Sequence, residues 1–346
     1  MRRSDLTQAF WGGLTACLLM ASCAPTDPEE FDPSHPKDHL LRMNHLQAVG
    51  THNSYHQIPP GGADTFWDYD HLPLDQQLND QGVRKFELDI YWDRDQGTFE
   101  VYHVPVVDHW TVCETLTLCL GQIQSWSEVH PGHHPLFIMI EPKESDLDEA
   151  GAALWIDHLE QRIDGVFDRA QVITPDEVQK DAASLRDQIT KTGWPLLSEV
   201  RGRVLFWVNT GGVIRRVLDR DGQDLSGRLV FAETDLNSPV GSITNFNTPT
   251  ADNLTQIQAA VSEGFIIRSR ADADPMDVLA GAIEPRRRLA LDSGAHLLST
   301  DFPGDHPRTD YVFKMPDGSP SRCNPVNAPA DCLSSDIEDP SRLAPP

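Results

Sequence analysis

Short, continuous apolar runs recur along the chain at 46–50, 85–92, 98–104, 136–141, 204–209, 229–233, 265–267 and 297–300. Runs of this kind suit strands buried on both faces, as in a parallel sheet covered by helices. Between them lie segments with helical periodicity. Residues 148–163 carry Leu154, Trp155, Leu159 and Ile163 toward one side, and Leu254, Ile257, Ala260 and Val261 form a second stripe. Thr174, Pro175, Asp176 and Glu177 spell a capping box with proline at the first helical position. Strands alternating with helices from 39 to 315 predict an α/β fold, a distorted TIM-type (β/α)8 barrel with room for irregular strands or an inserted hairpin.

The ends of the chain read differently. Arg2 and Arg3 precede an apolar stretch at 9–21 that is too short to span a bilayer, so residues 1–22 are expected to be a signal peptide. Small residues precede Cys23 as in a bacterial lipoprotein signal, although Met20 stands where leucine is usual; lipidation of Cys23 and ordinary cleavage nearby both remain open. Residues 23–38, rich in Pro, Asp and Glu, read as a flexible tether, and 316–346 as a C-terminal tail held by a disulfide. No transmembrane span is expected in the mature protein.

Composition narrows the setting. With 346 residues, 39% of them hydrophobic, and 8 tryptophans, the chain can bury a full core. Beyond Cys17 and Cys23, four cysteines remain: Cys113, Cys119, Cys323 and Cys332. In an oxidising compartment the simplest pairing joins 113 to 119 and 323 to 332, although four cysteines allow three connectivities. The expected location is therefore exported: periplasmic, outer-membrane lipoprotein or extracellular. A formal net charge of −25 excludes nucleic acid as a partner, because that binding relies on basic side chains that neutralise phosphates.

The candidate chemistry sits where barrel strands end, since TIM-barrel sites lie at the C-terminal ends of the strands. The first strand runs into His52 and Asn53. The second carries Glu87 and Asp89, which a period of two points the same way; the stretch 100–103 delivers His103; and the run from 137 ends in Glu141, with Lys143 two residues on. Asn53, Glu87, Asp89 and Glu141 are oxygen donors, the ligand type that Ca2+ or Mg2+ prefers. His52 and His103 can exchange protons near neutral pH, since free imidazole titrates at about 6.5. A divalent ion with an acid–base pair is equipment for phosphodiester cleavage. Arg268 and Arg270 share a strand face and could hold phosphate or ring hydroxyls; an ion-pair network of Arg268 with Asp272 and Asp274 is the alternative. His130, His133 and His134, punctuated by Pro131, Gly132 and Pro135, read as an exposed turn.

The stretches GTHNSYH, KFELDIYW, EVYHVP, FIMIEPK, GFIIRSRADAD and GAHLLSTDFP occur in that order, with CETLTLCLGQIQSWSEVHPGHHP and RCNPVNAPADC among and after them. Over residues 42–335 the chain resembles the bacterial calcium-dependent phosphoinositide-specific phospholipase C family. The resemblance implies cleavage of phosphatidylinositol, at a membrane surface and by a monomer, into diacylglycerol and an inositol phosphate. The inositol 2-hydroxyl attacks within the molecule and a 1,2-cyclic phosphate forms on the way. It implies His52 as the histidine that assists attack, His103 as the general acid, and Asn53, Glu87, Asp89 and Glu141 as Ca2+ ligands. Glu87 or Glu141 could also accept the hydroxyl proton, and Lys143, Arg268 and Arg270 would contact substrate. Metal-independent relatives place an arginine two residues after the strand-two aspartate, where this chain has Tyr91, which points to the metal-dependent branch. The segment 203–209 lacks the lysines that grip ring phosphates in eukaryotic relatives, so unphosphorylated phosphatidylinositol is the expected substrate. The alternatives are a glycerophosphodiester phosphodiesterase on the same barrel, whose first motif runs His-Arg-Gly, and an inactive secreted lipid-binding module.

Overall fold

The apolar runs become strands of one sheet. In the computed structural model, residues 35–343 are described, apart from 61, 63, 64, 273, 274 and 319. The expected signal peptide, Cys23, most of the tether and Asp274 lie outside the described residues. The strands are β1 (Leu46–Thr51), β2 (Lys85–Asp93), β3 (Thr98–Val101), β4 (Leu136–Pro142), β5 (Val172–Ile173), β6 (Val204–Val208), β7 (Phe231–Ala232), β8 (Ile243–Phe246), β9 (Ile266–Arg270), β10 (Leu297–Thr300) and β11 (Ser321–Cys323).

Parallel pairings run β6-β4-β2-β1-β10-β9-β8, and the other edge of β6 is shared, with the short β5 beside Val204 and Leu205 and β7 beside Trp207 and Val208. A single parallel bridge, Glu233 to Ile243, joins the end of β7 to β8. The eight strands β1, β2, β4, β6, β7, β8, β9 and β10 therefore follow one another around a barrel whose β7–β8 seam is thin. This is the expected distorted α/β barrel. The run at 98–104 is not a barrel strand: β3 folds back antiparallel on β2, with Ile90 opposite Val101 and Asp93 opposite Thr98. β8 escaped the apolar-run reading because it is only four residues long and alternates Ile243 with Asn245 on one face, the Asn245 amide lying 3.6 Å from the Met139 sulfur inside the barrel.

Helices cover the outside. Glu149–Asp164 is capped by Asp148, which accepts from the Gly151 amide, and it buries Ala152, Trp155, Ile156, Leu159 and Ile163. Leu154, expected on that stripe, is 54% exposed because it lies off the four-residue row that Trp155, Leu159 and Ile163 occupy. Leu254–Ser262 buries Ile257, Ala260 and Val261 as expected. Thr174 caps Pro175–Gln179 by accepting from the Glu177 amide. Among the described residues, no helix is long and apolar enough to cross a membrane.

The N-terminal end of the barrel is closed by the tail. Disulfides join Cys113 to Cys119 and Cys323 to Cys332, the simplest of the three pairings. The tail is held by more than its disulfide: β11 adds antiparallel to β1, with Leu46 opposite Cys323, and Glu338 accepts two hydrogen bonds from Arg84 Nε at 2.8 and 3.0 Å. His133 and His134 are fully buried, so the exposed-turn reading fails for them. Their rings meet Ser127 Oγ at 2.7 Å and Ser321 Oγ at 2.6 Å. Proline and glycine mark the turn correctly, but a segment nearly two hundred positions later covers it, and local sequence carries no sign of that. Burial pushes the two imidazoles down to about 3 and about 4.

Burial alone would raise the Glu338 carboxyl, but Arg84 and the neighbouring histidines hold it down to about 2, from an ordinary 4.5. A carboxyl depressed on folding stabilises the fold above its unfolded pKa, and that stability drains as pH falls from about 4.5 toward 2. The shift corresponds to roughly 3 kcal/mol. Glu338→Gln leaves Arg84 buried without its anion, and is expected to lose about 3–5 kcal/mol in urea unfolding at pH 7. The deficit should shrink at pH 3; an equal deficit at both pH values would contradict this account.

Candidate active site

β1 delivers the first loop. Gly50 is required by packing: a Cβ there would lie 2.8 Å from the Lys85 Cδ. Lys85 passes this gap to reach the Thr51 carbonyl at 3.1 Å and Ser299 Oγ at 3.0 Å. Thr51 Oγ1 pairs with Ser54 Oγ at 2.7 Å, and Ser54 Oγ accepts from the Glu87 amide at 2.8 Å. The loop is thereby fastened to β2. Asn53 takes a left-handed conformation, φ 41°, which asparagine tolerates better than most residues. Its amide donates to the Tyr69 hydroxyl at 3.1 Å, leaving Oδ1 as the atom available to a ligand.

Three carboxylates meet at the ends of β2 and β4. The β2–β4 register sets Asp89 beside Glu141, and Glu87, Asp89 and Glu141 each offer an oxygen within 4.8 Å of the others. Their environments differ. Glu87 lies 2.8 Å from Lys85 Nζ, 2.5 Å from an Arg268 terminal nitrogen and 4.0 Å from one of Arg270. Burial disfavours its charge, but Arg268 and Lys85 outweigh burial and hold the carboxyl well below its usual range. Burial brings Lys85 down to about 7 against the pull of Glu87. Asp89 is pushed up to about 7 by burial and by Glu141. Neither of its oxygens accepts a well-angled hydrogen bond, although the Lys143 ammonium stands 2.7 Å away. That ammonium also lies 2.6 Å from Glu141, which accepts from Asn209 at 3.0 Å. Burial disfavours the Lys143 charge, yet Asp89 and Glu141 together raise its pKa.

This donor set fits a hard cation. Three clustered carboxylates match the all-oxygen shell of Ca2+ better than the nitrogen and sulfur ligands of zinc. The bridging Lys143 ammonium shows that the pocket already favours positive charge.

The two histidines are held by acids that the sequence reading passed over. His52 Nδ1 lies 2.8 Å from Asp301 Oδ1, and its Nε2 lies 3.8 Å from Glu87. Burial, reinforced by Arg270, pushes the imidazole pKa well down, which keeps the ring neutral. Asp301 is pushed well up by burial and by Asp272, whose carboxylate accepts from the Asp301 amide at 2.7 Å. His103 follows β3; its Nδ1 lies 2.7 Å from Asp108 Oδ2, and its carbonyl accepts from Tyr91 at 2.8 Å. Tyr91 stands two positions beyond Asp89 on β2.

Arg268 is fully buried and donates to Glu87, to Ser299 Oγ at 3.0 Å and to the Asn247 side chain. Asp272 instead bonds Thr300, Asp301 and Tyr311. The ion pair of Arg268 is thus with Glu87, and the alternative network through Asp272 does not form. Asp301 had a signal, a carboxylate one residue past a strand end. Asp108 had none, being a single acid in a loop.

The family model for phosphoinositide phospholipase C, Ca2+-dependent, matches residues 41–100 and 95–325. No curated protein matches the chain. Among solved structures, the apo calcium-dependent phosphoinositol-specific phospholipase C of a Gram-negative Pseudomonas species superposes with a TM-score of 0.57 at 19% identity, covering 85% of this chain and 98% of that one. Its myo-inositol complex gives the same TM-score and identity over 85% and 100% of the two chains. The Ca2+-dependent phosphatidylinositol-specific phospholipase C of Streptomyces antibioticus gives 0.54 at 17% identity, over 76% and 95%. At these identities the superpositions speak for the barrel fold.

Proposed function

The chain belongs to the Ca2+-dependent phosphoinositide phospholipase C family, phosphodiester-cleaving enzymes, and from that premise we propose that it cleaves phosphatidylinositol through the 1,2-cyclic phosphate. The observation that carries this reading is the three-carboxylate cluster with His52 3.8 Å from Glu87 at the same barrel mouth.

Asn53, Glu87, Asp89 and Glu141 would hold the calcium ion, which when bound polarises the phosphoryl oxygen and acidifies the inositol 2-hydroxyl. The chain's own groups do the rest. The 2-hydroxyl oxygen bonds to phosphorus and its proton passes to a carboxylate. Glu87 is a weak base among its cations, so Glu141, half-buried and facing one lysine and one asparagine, is the better acceptor. His52, oriented through Nδ1 by Asp301, presents its Nε2 to the phosphoryl group. The bond from phosphorus to the glycerol oxygen breaks, and His103 protonates that oxygen. Arg268 and Arg270 add positive charge beside Glu87 where the phosphate would sit. Phosphorus NMR of the protein with phosphatidylinositol micelles and calcium should show a cyclic phosphate. Turnover of glycerophosphoinositol with phosphatidylinositol untouched would sink the reading in favour of a glycerophosphodiesterase.

Access from a lipid surface fits the rim. Val106 and Val107, 82% and 53% exposed, lie in the loop between His103 and Asp108. Trp67 meets the His103 ring edge-on at 6.0 Å, and its neighbour Phe66 is exposed. Val106 also holds φ 71°, costly for a β-branched residue. The double substitution Val106→Asn and Val107→Ser should not harm the fold. Two valines entering a lipid interface contribute about 1.5 kcal/mol or more. The variant is therefore expected to lose about tenfold in rate on phosphatidylinositol vesicles and nothing on a monomeric short-chain substrate. Equal losses on both would place the valines in folding instead. Export, through the signal peptide expected at residues 1–22, and a monomeric state complete the proposal.

A further inference from the structure

We propose that Asp108 is the positioning residue of His103, and that His56 holds Asp108 in place from the opposite side. The inference rests on the proposed acid role of His103. Asp108 is fully buried and uses each carboxylate oxygen on a different imidazole: Oδ2 at 2.7 Å from His103 Nδ1 and Oδ1 at 2.9 Å from His56 Nε2. The loop that carries it is closed on itself, with the Val104 and Asp108 amides donating to each other's carbonyls at 2.9 and 3.0 Å.

His56 is also fully buried, and its Nδ1 lies 2.9 Å from the Tyr69 carbonyl. Its two ring nitrogens are thus held from opposite sides, by the Tyr69 carbonyl and by Asp108 Oδ1 at 2.9 Å each. Tyr69 packs its ring against His56 at 4.3 Å between centres, tilted by 30°, and stands 6.2 Å from the His52 ring. The framework that sets His103 is therefore the one that lines the first histidine. Burial opposes ionisation of Asp108, but its two imidazole partners hold the carboxyl down to about 2, so it accepts and does not donate.

The chemical consequence is a fixed tautomer. A carboxylate on Nδ1 demands a proton there, so neutral His103 keeps Nδ1–H. Its Nε2 is then the atom that takes up a proton and passes it to the leaving oxygen. Without Asp108 the ring is free to rotate and to place its proton on Nε2, which removes the acid from register.

The test reads the ring directly. In the full chain labelled with 15N-histidine, with His103 assigned by the loss of its signals in His103→Ala, neutral His103 is expected as the Nδ1–H tautomer. An Nε2–H tautomer in the wild-type protein would overturn the proposal whether or not any variant folds. Asp108→Asn, nearly the same shape, is expected to move the ring to Nε2–H and to lower kcat about 100-fold or more with KM little changed. An unchanged kcat in a folded variant would equally overturn it. Absence of phosphatidylinositol cleavage by the wild type would strike the proposed activity and leave the tautomer result to stand by itself.

Discussion

His103→Ala is expected to lower phosphatidylinositol turnover by about 10²–10⁴-fold while calcium affinity stays within about twofold, the range for losing a general acid. His103 is held by its Nδ1 contact with Asp108 and by the hydrogen bond from Tyr91 to its carbonyl, and it shares no hydrogen bond with Glu87, Asp89 or Glu141. Its imidazole is 27% exposed, so truncation leaves no sealed cavity and the fold should survive. The contrast with His52→Ala is informative. His52 lies 3.8 Å from Glu87 and bonds Asp301, so its removal disturbs the carboxylate cluster as well as the chemistry. A substrate with a better leaving group than an alkoxide separates the two. A phenolate needs little protonation, so His103→Ala should recover much of its rate on an aryl phosphoinositol and His52→Ala should not. No recovery would remove the acid role from His103.

Much of this was legible in the sequence because strand ends are local. The paired acids Glu87 and Asp89, the turn carrying His52 and Asn53, and Glu141 closing β4 all announce themselves within a few positions; the barrel brings the three carboxylates within 4.8 Å of one another and His52 to 3.8 Å from Glu87. What sequence hid was the far partner. Lys85 reads as a charged strand start, yet it lies in the barrel beside Glu87, admitted by Gly50 on the next strand. Asp301 acts on a histidine 249 positions away, and the second anchor of Asp108 is His56, 52 positions away; Asp108 itself is only 5 positions from His103, and the closed loop that joins them, not distance, concealed it. The burial of His133 and His134 depends on the tail carrying Ser321 and Glu338. Apolar periodicity also failed where the barrel interior is polar, as in β8, because an inward position need not be apolar when Asn245 can face Met139.

Asp89→Asn should change stability in opposite directions with and without calcium. Asp89 is 1% exposed, has two carboxylates within 4.8 Å and accepts no well-angled hydrogen bond. In the metal-free protein its charge costs stability: a carboxyl raised on folding from 3.8 to about 7 destabilises progressively as pH climbs through that interval. Lys143 at 2.7 Å offsets part of this and not all, since the net direction is upward. The isosteric amide removes the charge and keeps the volume, so the chelated variant at pH 7.5 is expected to melt above the chelated wild type. Calcium reverses the order. At 100 times its dissociation constant a ligand adds about 2.7 kcal/mol to the wild type. The variant, short of one of the three carboxylates proposed to hold the ion, should bind calcium about 100-fold more weakly and gain little, with turnover falling in step at micromolar calcium. Calorimetry of both proteins in chelator and in calcium measures all four values. If calcium stabilises wild type and variant equally, Asp89 is no ligand, and its burial beside Glu141 must be explained by Lys143 alone.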